Sequence, residues 1–410
     1  MGRQLRLQGF EIVPFDEPAD IVVINTCSVT ERADRECRQL VRRALRRSPG
    51  AFVAVVGCYA QLQPQQIASI EGVDIVLGTT EKFDFLSYIG DAKKRDEPTI
   101  AVSCIGDAHD ARHASSIGFE DRTRAFLKVQ DGCDYSCSFC TIPMARGKSR
   151  SVDVDTVLSD ARQAADAGYR EIVLTGVNVG DYGDERTPDL LGLLRSLIRV
   201  DGIERIRISS IEPNLLTDEL LEFWFMEPKL CRHWHVPLQS GSDVILRGMR
   251  RRYPRDLYRS RIERIRNTVP NAGIGADVIV GFPGETEELF RETYDFVLDL
   301  PVTYLHVFSY SERPNTQAAT SPHHVLPAEK AARSERLRSL GLRKRRQFHE
   351  SLVGSTVSVL FENQDDDAQW NGLSGEYVRV LVHGPADLSG TVRPVRIALA
   401  ESEYCRGVLQ

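Results

Sequence analysis

The sequence has no apolar run approaching the roughly 20 residues that a membrane-spanning helix needs, and its start, MGRQLRLQGF, does not read as a secretory signal. It has no basic excess either. Its 52 Lys and Arg stand against 58 Asp and Glu, a net charge of −6, so charge alone does not point to nucleic acid. Also missing is the even, dense cysteine framework of a small secreted protein. Nine cysteines, three crowded together and the others apart, predict a reducing compartment, the cytoplasm, and metal ligation rather than disulfides. Internal repeats and low-complexity tracts are absent. What remains is the composition of an ordinary soluble protein, 42% hydrophobic and 27% charged, with a length of 410 residues that predicts two or three domains.

The crowded cysteines lie in Cys133-Asp-Tyr-Ser-Cys137-Ser-Phe-Cys140, on a loop that follows the apolar run Ala125–Gln130. Thiolates so close together suit a soft metal centre. A structural zinc knuckle would ask for a fourth Cys or His nearby, and the nearest histidines, His113 and His233, are not local. An iron–sulfur cluster takes four cysteines as a rule, so three leave one iron open to a small molecule. The C-x3-C-x-aromatic-C spacing, with Phe139 before the last thiol, resembles the radical S-adenosylmethionine (SAM) signature.

Along the chain, Ile21–Asn25, Phe52–Val56 and Val73–Leu77 read as strands, with helical stretches over Ser28–Arg47 and Pro64–Ile70. This predicts an N-terminal doubly wound α/β domain over residues 1–105. Cys27 and Cys58 follow the first two strands, 31 residues apart, about one βαβ unit. Both thiols should therefore emerge at the strand edge where open α/β sheets place ligands. A polar stretch from Asp91 to Asp121 reads as a linker, with 106–121 separating the domains. From 122 to 350, six candidate strands (Ala125–Gln130, Glu171–Thr175, Arg205–Ser209, His233–Pro237, Ile274–Val280 and Tyr304–Ser309) alternate with helices. Six repeats predict a partial barrel open on one side, its site at the strand C-termini. Residues 351–410 are β-rich, with runs at Val357–Phe361, Tyr377–Val382 and Val395–Ala400, and predict a small β-barrel of oligonucleotide-binding type.

Charge is unevenly placed. Between Arg247 and Arg266 nine arginines face only Asp256 and Glu263, and Lys330 to Arg346 is a second basic run. Either is a phosphate-binding footprint or a solvated helix face.

With these residues assembled, the sequence resembles the radical-SAM methylthiotransferases, over nearly its whole length. The phrases that carry the likeness are Val129-Gln-Asp-Gly-Cys133, Arg207-Ile-Ser-Ser-Ile-Glu-Pro213, Cys231-Arg-His-Trp-His-Val-Pro-Leu-Gln-Ser-Gly241, Met249-Arg-Arg-Arg-Tyr253 and Asp277-Val-Ile-Val-Gly-Phe-Pro-Gly-Glu-Thr286. Among the family's members the likeness is greatest to those acting on N6-threonylcarbamoyladenosine beside the tRNA anticodon. Isopentenyl-adenosine tRNA, a ribosomal-protein aspartate, and a cluster-bearing RNA-binding protein without sulfur transfer are the alternatives. The resemblance implies two [4Fe–4S] clusters, one on Cys133, Cys137 and Cys140 that reductively cleaves SAM, and a second that includes Cys27 and Cys58. Relatives carry a third N-terminal cysteine, which is expected ahead of Met1; Cys37 lies too far along its helix to replace it, and Cys104 in the linker or a chain without a competent second cluster are the alternatives. Thr175, Gly176, Ser209, Ser210, Glu212 and Gln239, at or near strand ends, are expected to contact SAM. A C-terminal TRAM domain and Arg250, Arg251 and Arg252 are expected to hold the tRNA anticodon stem-loop. The electron donor is expected to be of flavodoxin or ferredoxin type, and the protein a monomer that does not bind membranes.

Overall fold

Runs such as Ile21–Asn25 and Phe52–Val56 are apolar at every position, and are stable only where both faces of the sheet are covered. The computed structural model describes residues 1–27, 31–108, 111, 114–118, 123–185, 187–365, 368–384 and 387–410. Its chain packs as two units: Met1–Arg112, Gly132–Ser149 and Ser311–Thr320 in one, His113–Asp131, Arg150–Tyr310 and Ser321–Gln410 in the other.

In the first unit four parallel strands lie in the order β1 (Ile21–Thr26), β2 (Phe52–Gly57), β3 (Ile75–Leu77) and β4 (Thr99–Ala101). The helices are α1 (Gly2–Leu7), α2 (Glu31–Arg47), α3 (Cys58–Leu62), α4 (Pro64–Ala68) and α5 (Phe85–Ile89). Cys37 and Val41 of α2 and Ile67 of α4 cover one face, against Val53 and Val55. Leu5 of α1 and Phe85 and Ile89 of α5 cover the other, against Phe52, Ala54 and Val56. The stretch expected to be a linker thus supplies β4, whose three residues carry no apolar run to announce it. Ser28, the expected start of α2, lies outside the described residues.

The cysteine loop belongs to this unit, together with α6 (Ile142–Arg146). Thr79 Oγ1 donates to Ala145 O at 2.8 Å, and the Ala318 N–H donates to Ser138 O at 2.9 Å. The boundaries read from sequence (105, 121 and 350) follow the chain, whereas packing groups the loop with the N-terminal sheet.

In the second unit, β5 (Ala114–Ser115) pairs antiparallel with β6 (Arg124–Lys128), and the short pair β7 (Gln130–Asp131) and β8 (Arg150–Ser151) brackets the cysteine loop in the chain. There follow α7 (Val154–Asp166), β9 (Glu171–Thr175), α8 (Leu190–Leu197), β10 (Arg205–Ile208), α9 (Asp218–Met226), β11 (His233–His235), α10 (Asp243–Gly248) and α11 (Arg255–Thr268). Then come β12 (Gly273–Val280), α12 (Glu287–Asp299), β13 (Tyr304–Ser309) and α13 (Pro327–Ser351). Asp153, Asp189, Thr217 and Thr286 cap α7, α8, α9 and α12, each accepting a backbone N–H that the first turn leaves unpaired. Parallel pairing runs β6–β9–β10 and β11–β12–β13. The two sheets meet where the Ile206 N–H donates to Lys229 O (2.7 Å) and the Cys231 N–H donates to Ile206 O (2.9 Å). This is the six-stranded partial barrel. Helices cover one face: Trp224 of α9 lies 4.9 Å from Trp234, and Tyr258 of α11 donates to Val236 O. Alternate residues, His233 and His235 among them, therefore point to the concave face.

Residues 356–409 form a closed barrel of β14 (Thr356–Gln364), β15 (Gln369–Ser374), β16 (Arg379–His383), β17 (Val392–Ala400) and β18 (Cys405–Leu409), around Val359, Phe361, Trp370, Val380, Val395 and Ile397. Tyr377, expected at the head of a strand, instead sits in the β15–β16 turn at φ 70°. That turn docks on the partial barrel. Arg207 donates from Nε to Glu171 Oε1 (2.8 Å), from Nη2 to Ser374 O (3.0 Å) and from Nη1 to Gly375 O (3.2 Å). Arg205 pairs with Glu171 Oε2 at 2.8 Å and donates to Leu373 O at 3.1 Å. Gly273 is required beneath the turn, since a Cβ there would lie 1.9 Å from Glu376 O.

Glu171 is fully buried. Burial alone would raise its pKa, yet Arg205 and Arg207 hold it below the usual carboxylate range. A carboxylate depressed by folding contributes stability above its unfolded pKa and loses it as pH falls through the folded value. Glu171→Gln, which leaves two buried guanidinium groups with no counter-charge, is expected to cost about 3–5 kcal/mol in urea unfolding near neutral pH. The difference from the parent should narrow in acid, where the parent's carboxyl is itself protonated; a constant difference from neutral pH to acid would contradict this.

Candidate active site

The cysteine loop is set by a glycine. Gly132 has φ +73°, and a Cβ there would lie 1.8 Å from Lys148 O, so only glycine lets the outgoing and returning chain approach this closely. The Cys133 N–H donates to Gly147 O at 3.1 Å, and the Cys140 N–H donates to Cys137 O at 3.1 Å. Cys133, Cys137 and Cys140 form no disulfide, and each is half-buried. The backbone N–H of Tyr135 donates to Cys133 Sγ and that of Ile142 to Cys140 Sγ, both at 3.4 Å. Amides aimed at sulfur stabilise thiolate charge and tune iron–sulfur centres, so the loop fits a cluster.

Cys27 and Cys58 emerge as the sequence predicts. Thr26 and Gly57 are register partners, so the two thiols follow adjacent parallel strands at their C-terminal ends. Cys27 is exposed and Cys58 buried at the start of α3. Arg146, six residues after Cys140, donates from Nε to Cys58 Sγ at 3.3 Å. That residue was not singled out in the sequence; a cation so soon after the third thiol was its one local signal. Cys37 lies in the α2 core, where burial pushes its thiol up to about 11. It is structural. Cys231 and Cys405 are buried as well.

On the second unit's concave face the six expected SAM contacts all lie at strand C-termini, but their partners differ. Thr175, half-buried, donates from Oγ1 to Leu127 O at 3.2 Å. Gly176 packs on Gln130, whose side chain a Cβ would meet at 3.0 Å. Ser209 and Ser210 are half-buried just past β10. Gln239 adopts φ 64° and bridges to β12, donating its N–H to Asp277 O (2.8 Å) and accepting from the Ile279 N–H (2.9 Å). Glu212 is ion-paired with Arg251. Of the three arginines expected to hold the tRNA, Arg251 is thereby engaged within the protein. Arg251 has a side chain only 4% exposed, stacked over Tyr253, and its charge is neutralised, whereas Arg250 and Arg252 are exposed. Much of the remaining basic segment is likewise committed: Arg261 and Arg264 pair with Asp218, and Arg264 also with Glu222.

The imidazoles of β11 share a face but not a partner. His233 Nε2 lies 2.7 Å from Tyr304 Oη, and its ring stacks 4.4 Å from Tyr377; burial lowers its pKa, so the ring is neutral. His235 Nε2 and His306 Nδ1 approach the same oxygen of Asp277, at 3.0 and 3.1 Å. Against burial, which acts the other way, these two rings hold Asp277 down to about 2. An ionised carboxylate only accepts, so both imidazoles donate to it.

The sequence matches the family model described as Radical SAM superfamily over residues 127–297, and that described as Uncharacterized protein family UPF0004 over residues 1–78. It is 40% identical over 405 residues to the threonylcarbamoyladenosine tRNA methylthiotransferase MtaB of Bacillus subtilis, covering 97% of this chain and 90% of the relative. It is 34% identical over 400 residues to the tRNA-2-methylthio-N(6)-dimethylallyladenosine synthase of Syntrophotalea carbinolica, covering 96% and 91%. Among solved structures, the radical S-adenosylmethionine methyltransferase TsrM from Kitasatospora setae, with tryptophan substrate and aza-SAM bound, matches with a TM-score of 0.56 at 15% identity. That match covers 86% of this chain and 69% of the other, and is a likeness of fold. Identity at this level along almost the whole sequence, joined to a three-thiol loop in the expected spacing, means that the chain belongs to the radical-SAM methylthiotransferase family, whose cofactors are [4Fe–4S] clusters and SAM.

Proposed function

We propose that this protein adds a methylthio group to C2 of N6-threonylcarbamoyladenosine beside the tRNA anticodon. The observation that carries this reading is the 40% identity, over 97% of the chain, to a relative of that name. Cys133, Cys137 and Cys140 would hold one cluster, and Cys27 and Cys58 would contribute to the second. When bound, a cluster with one iron open chelates SAM and supplies the electron for its reductive cleavage.

The chain's own contributions are positional. Gly132 closes the loop neck, while the Tyr135 and Ile142 amides and the Arg146 guanidinium direct N–H groups at thiol sulfurs. Thr175, Ser209, Ser210 and Gln239 offer polar groups at the strand ends to SAM. The Glu212–Arg251 pair, with Tyr253 donating to Pro237 O (2.9 Å) and Leu238 O (3.0 Å), holds the 237–239 segment in place. Single-stranded RNA is read by splaying out a base while phosphate contacts anchor the remainder. Exposed Arg250 and Arg252 and the C-terminal barrel supply that anchor. A flavodoxin- or ferredoxin-type donor would deliver the electron, and the protein would act as a cytoplasmic monomer. No helix among the described residues is long and apolar enough to cross a membrane.

Two outcomes test this reading. Replacing Cys133, Cys137 or Cys140 by Ala should abolish reductive SAM cleavage after anaerobic reconstitution; undiminished cleavage by any of them removes the cluster from this loop. Changing Arg250 and Arg252 together to Glu should weaken binding of an anticodon stem-loop. It should also flatten the slope of log K against log salt by about 1.4–1.8 units, the loss of two phosphate contacts. An unchanged slope would make these arginines a solvated surface only.

A further inference from the structure

The concave face of the partial barrel continues into a cavity of about 200 Å3 beside the β15–β16 turn. Its walls include Tyr304 and His306 of β13, Arg345 of α13, Glu376 and Tyr377 of the turn, and Arg379 of β16. Two features of its charge stand out. Arg379 shares the Glu362 carboxylate with Arg124, a further wall residue, but Arg345, half-buried, has no hydrogen bond or ion pair with any described residue. Glu376 and Glu403 line the same cavity but neither is paired with Arg345, so its guanidinium keeps its donors for an anion. The second feature is a shortage of donors. Glu376 Oε2 is buried with no hydrogen-bond partner among the described residues. His306 lines the cavity with its Nδ1–H committed to Asp277, which leaves its Nε2 for a ligand. The cavity therefore suits a ligand that carries an anion together with hydrogen-bond donors, beside the side chains of Tyr304 and Tyr377.

We propose that this cavity binds the N6 substituent of the substrate base, with Arg345 on the threonine carboxylate and His306 and Glu376 on its hydroxyl and N–H groups. This rests on the substrate reading above and deepens it. N6 and C2 flank N1 in the purine ring and diverge from it. A base presented with C2 at the strand C-termini can carry its N6 group back along β13 toward Tyr304 and this cavity. A dimethylallyl group in the same place would leave Arg345 and Glu376 facing hydrocarbon, at the cost of unmatched buried polar groups. The cavity is thus a device for choosing between the two substituents named among this chain's relatives.

The test uses the full-length, cluster-loaded protein and three anticodon stem-loops bearing N6-threonylcarbamoyladenosine, its threonine methyl ester, or adenosine. The parent is expected to bind the free carboxylate at least about tenfold tighter than the ester or adenosine, as a charge-assisted bond in a half-buried site would give. Arg345→Gln should bind all three alike, and Arg345→Lys should restore part of the preference. An unchanged thermal midpoint establishes that Arg345→Gln is folded. Preference retained by Arg345→Gln would place the carboxylate elsewhere and overturn the proposal. Equal weakening of all three RNAs would make Arg345 a phosphate contact and overturn it as well. A parent without preference would also overturn it, whichever methylthio nucleoside the enzyme forms. Loss of the substrate reading would appear separately, as a methylthio group on a different nucleoside.

Discussion

A carboxylate with no access to water governs the second unit. Glu171 on β9 balances two arginines of β10, and those arginines hold the carbonyl oxygens of the turn that docks the C-terminal barrel. Each member needs the others, because an isolated charge at this depth is prohibitively costly while a paired and hydrogen-bonded one is tolerated. Strand pairing, domain docking and the shape of the cavity beside Tyr377 are consequently one problem. The stacking of His233 on Tyr377, and of Tyr377 beneath Arg207, follows from the same arrangement. The network is a weak source of net stability but a strong source of specificity, since apolar residues could fill the same volume without fixing the turn.

In the first unit the governing constraint is geometric rather than electrostatic. The three thiols sit on a loop with a narrow neck, and Gly132 supplies the one backbone that permits it. Packing with the N-terminal sheet then brings Arg146 onto Cys58, so a residue just after the SAM-type motif touches a thiol from the other cysteine group. The domain organisation read along the chain and the organisation of packing differ at this point for a chemical reason. A loop of this kind carries too few apolar side chains to fold on its own periodicity, and takes its order from what it touches.

The cysteine motif was legible in sequence because metal ligation by a loop is a local pattern, and the barrel strands because each is a contiguous apolar run. Cys27 and Cys58 were legible from the one-unit spacing of their strands. What escaped has no local signature. Strand β4 is three residues in a polar stretch. Arg251 looked like its neighbours 250 and 252, and only the position of Glu212, 39 residues earlier, separates a buried pair from an exposed charge. Asp277, His235 and His306 come together because β11, β12 and β13 are adjacent and in register, which spacing alone does not reveal. The family resemblance supplied the substrate class, but not the cavity that would distinguish one N6 substituent from another.

Nucleoside mass spectrometry of tRNA reads the methylthio transfer itself. Transfer RNA from a strain lacking this gene should have lost 2-methylthio-N6-threonylcarbamoyladenosine and retained the unthiolated nucleoside. Restoring the parent gene should restore the modification, and restoring the Cys137→Ala form should not. An undiminished level of that nucleoside in the deletion strain, or loss of the isopentenyl counterpart instead, would mean that the enzyme forms a different product.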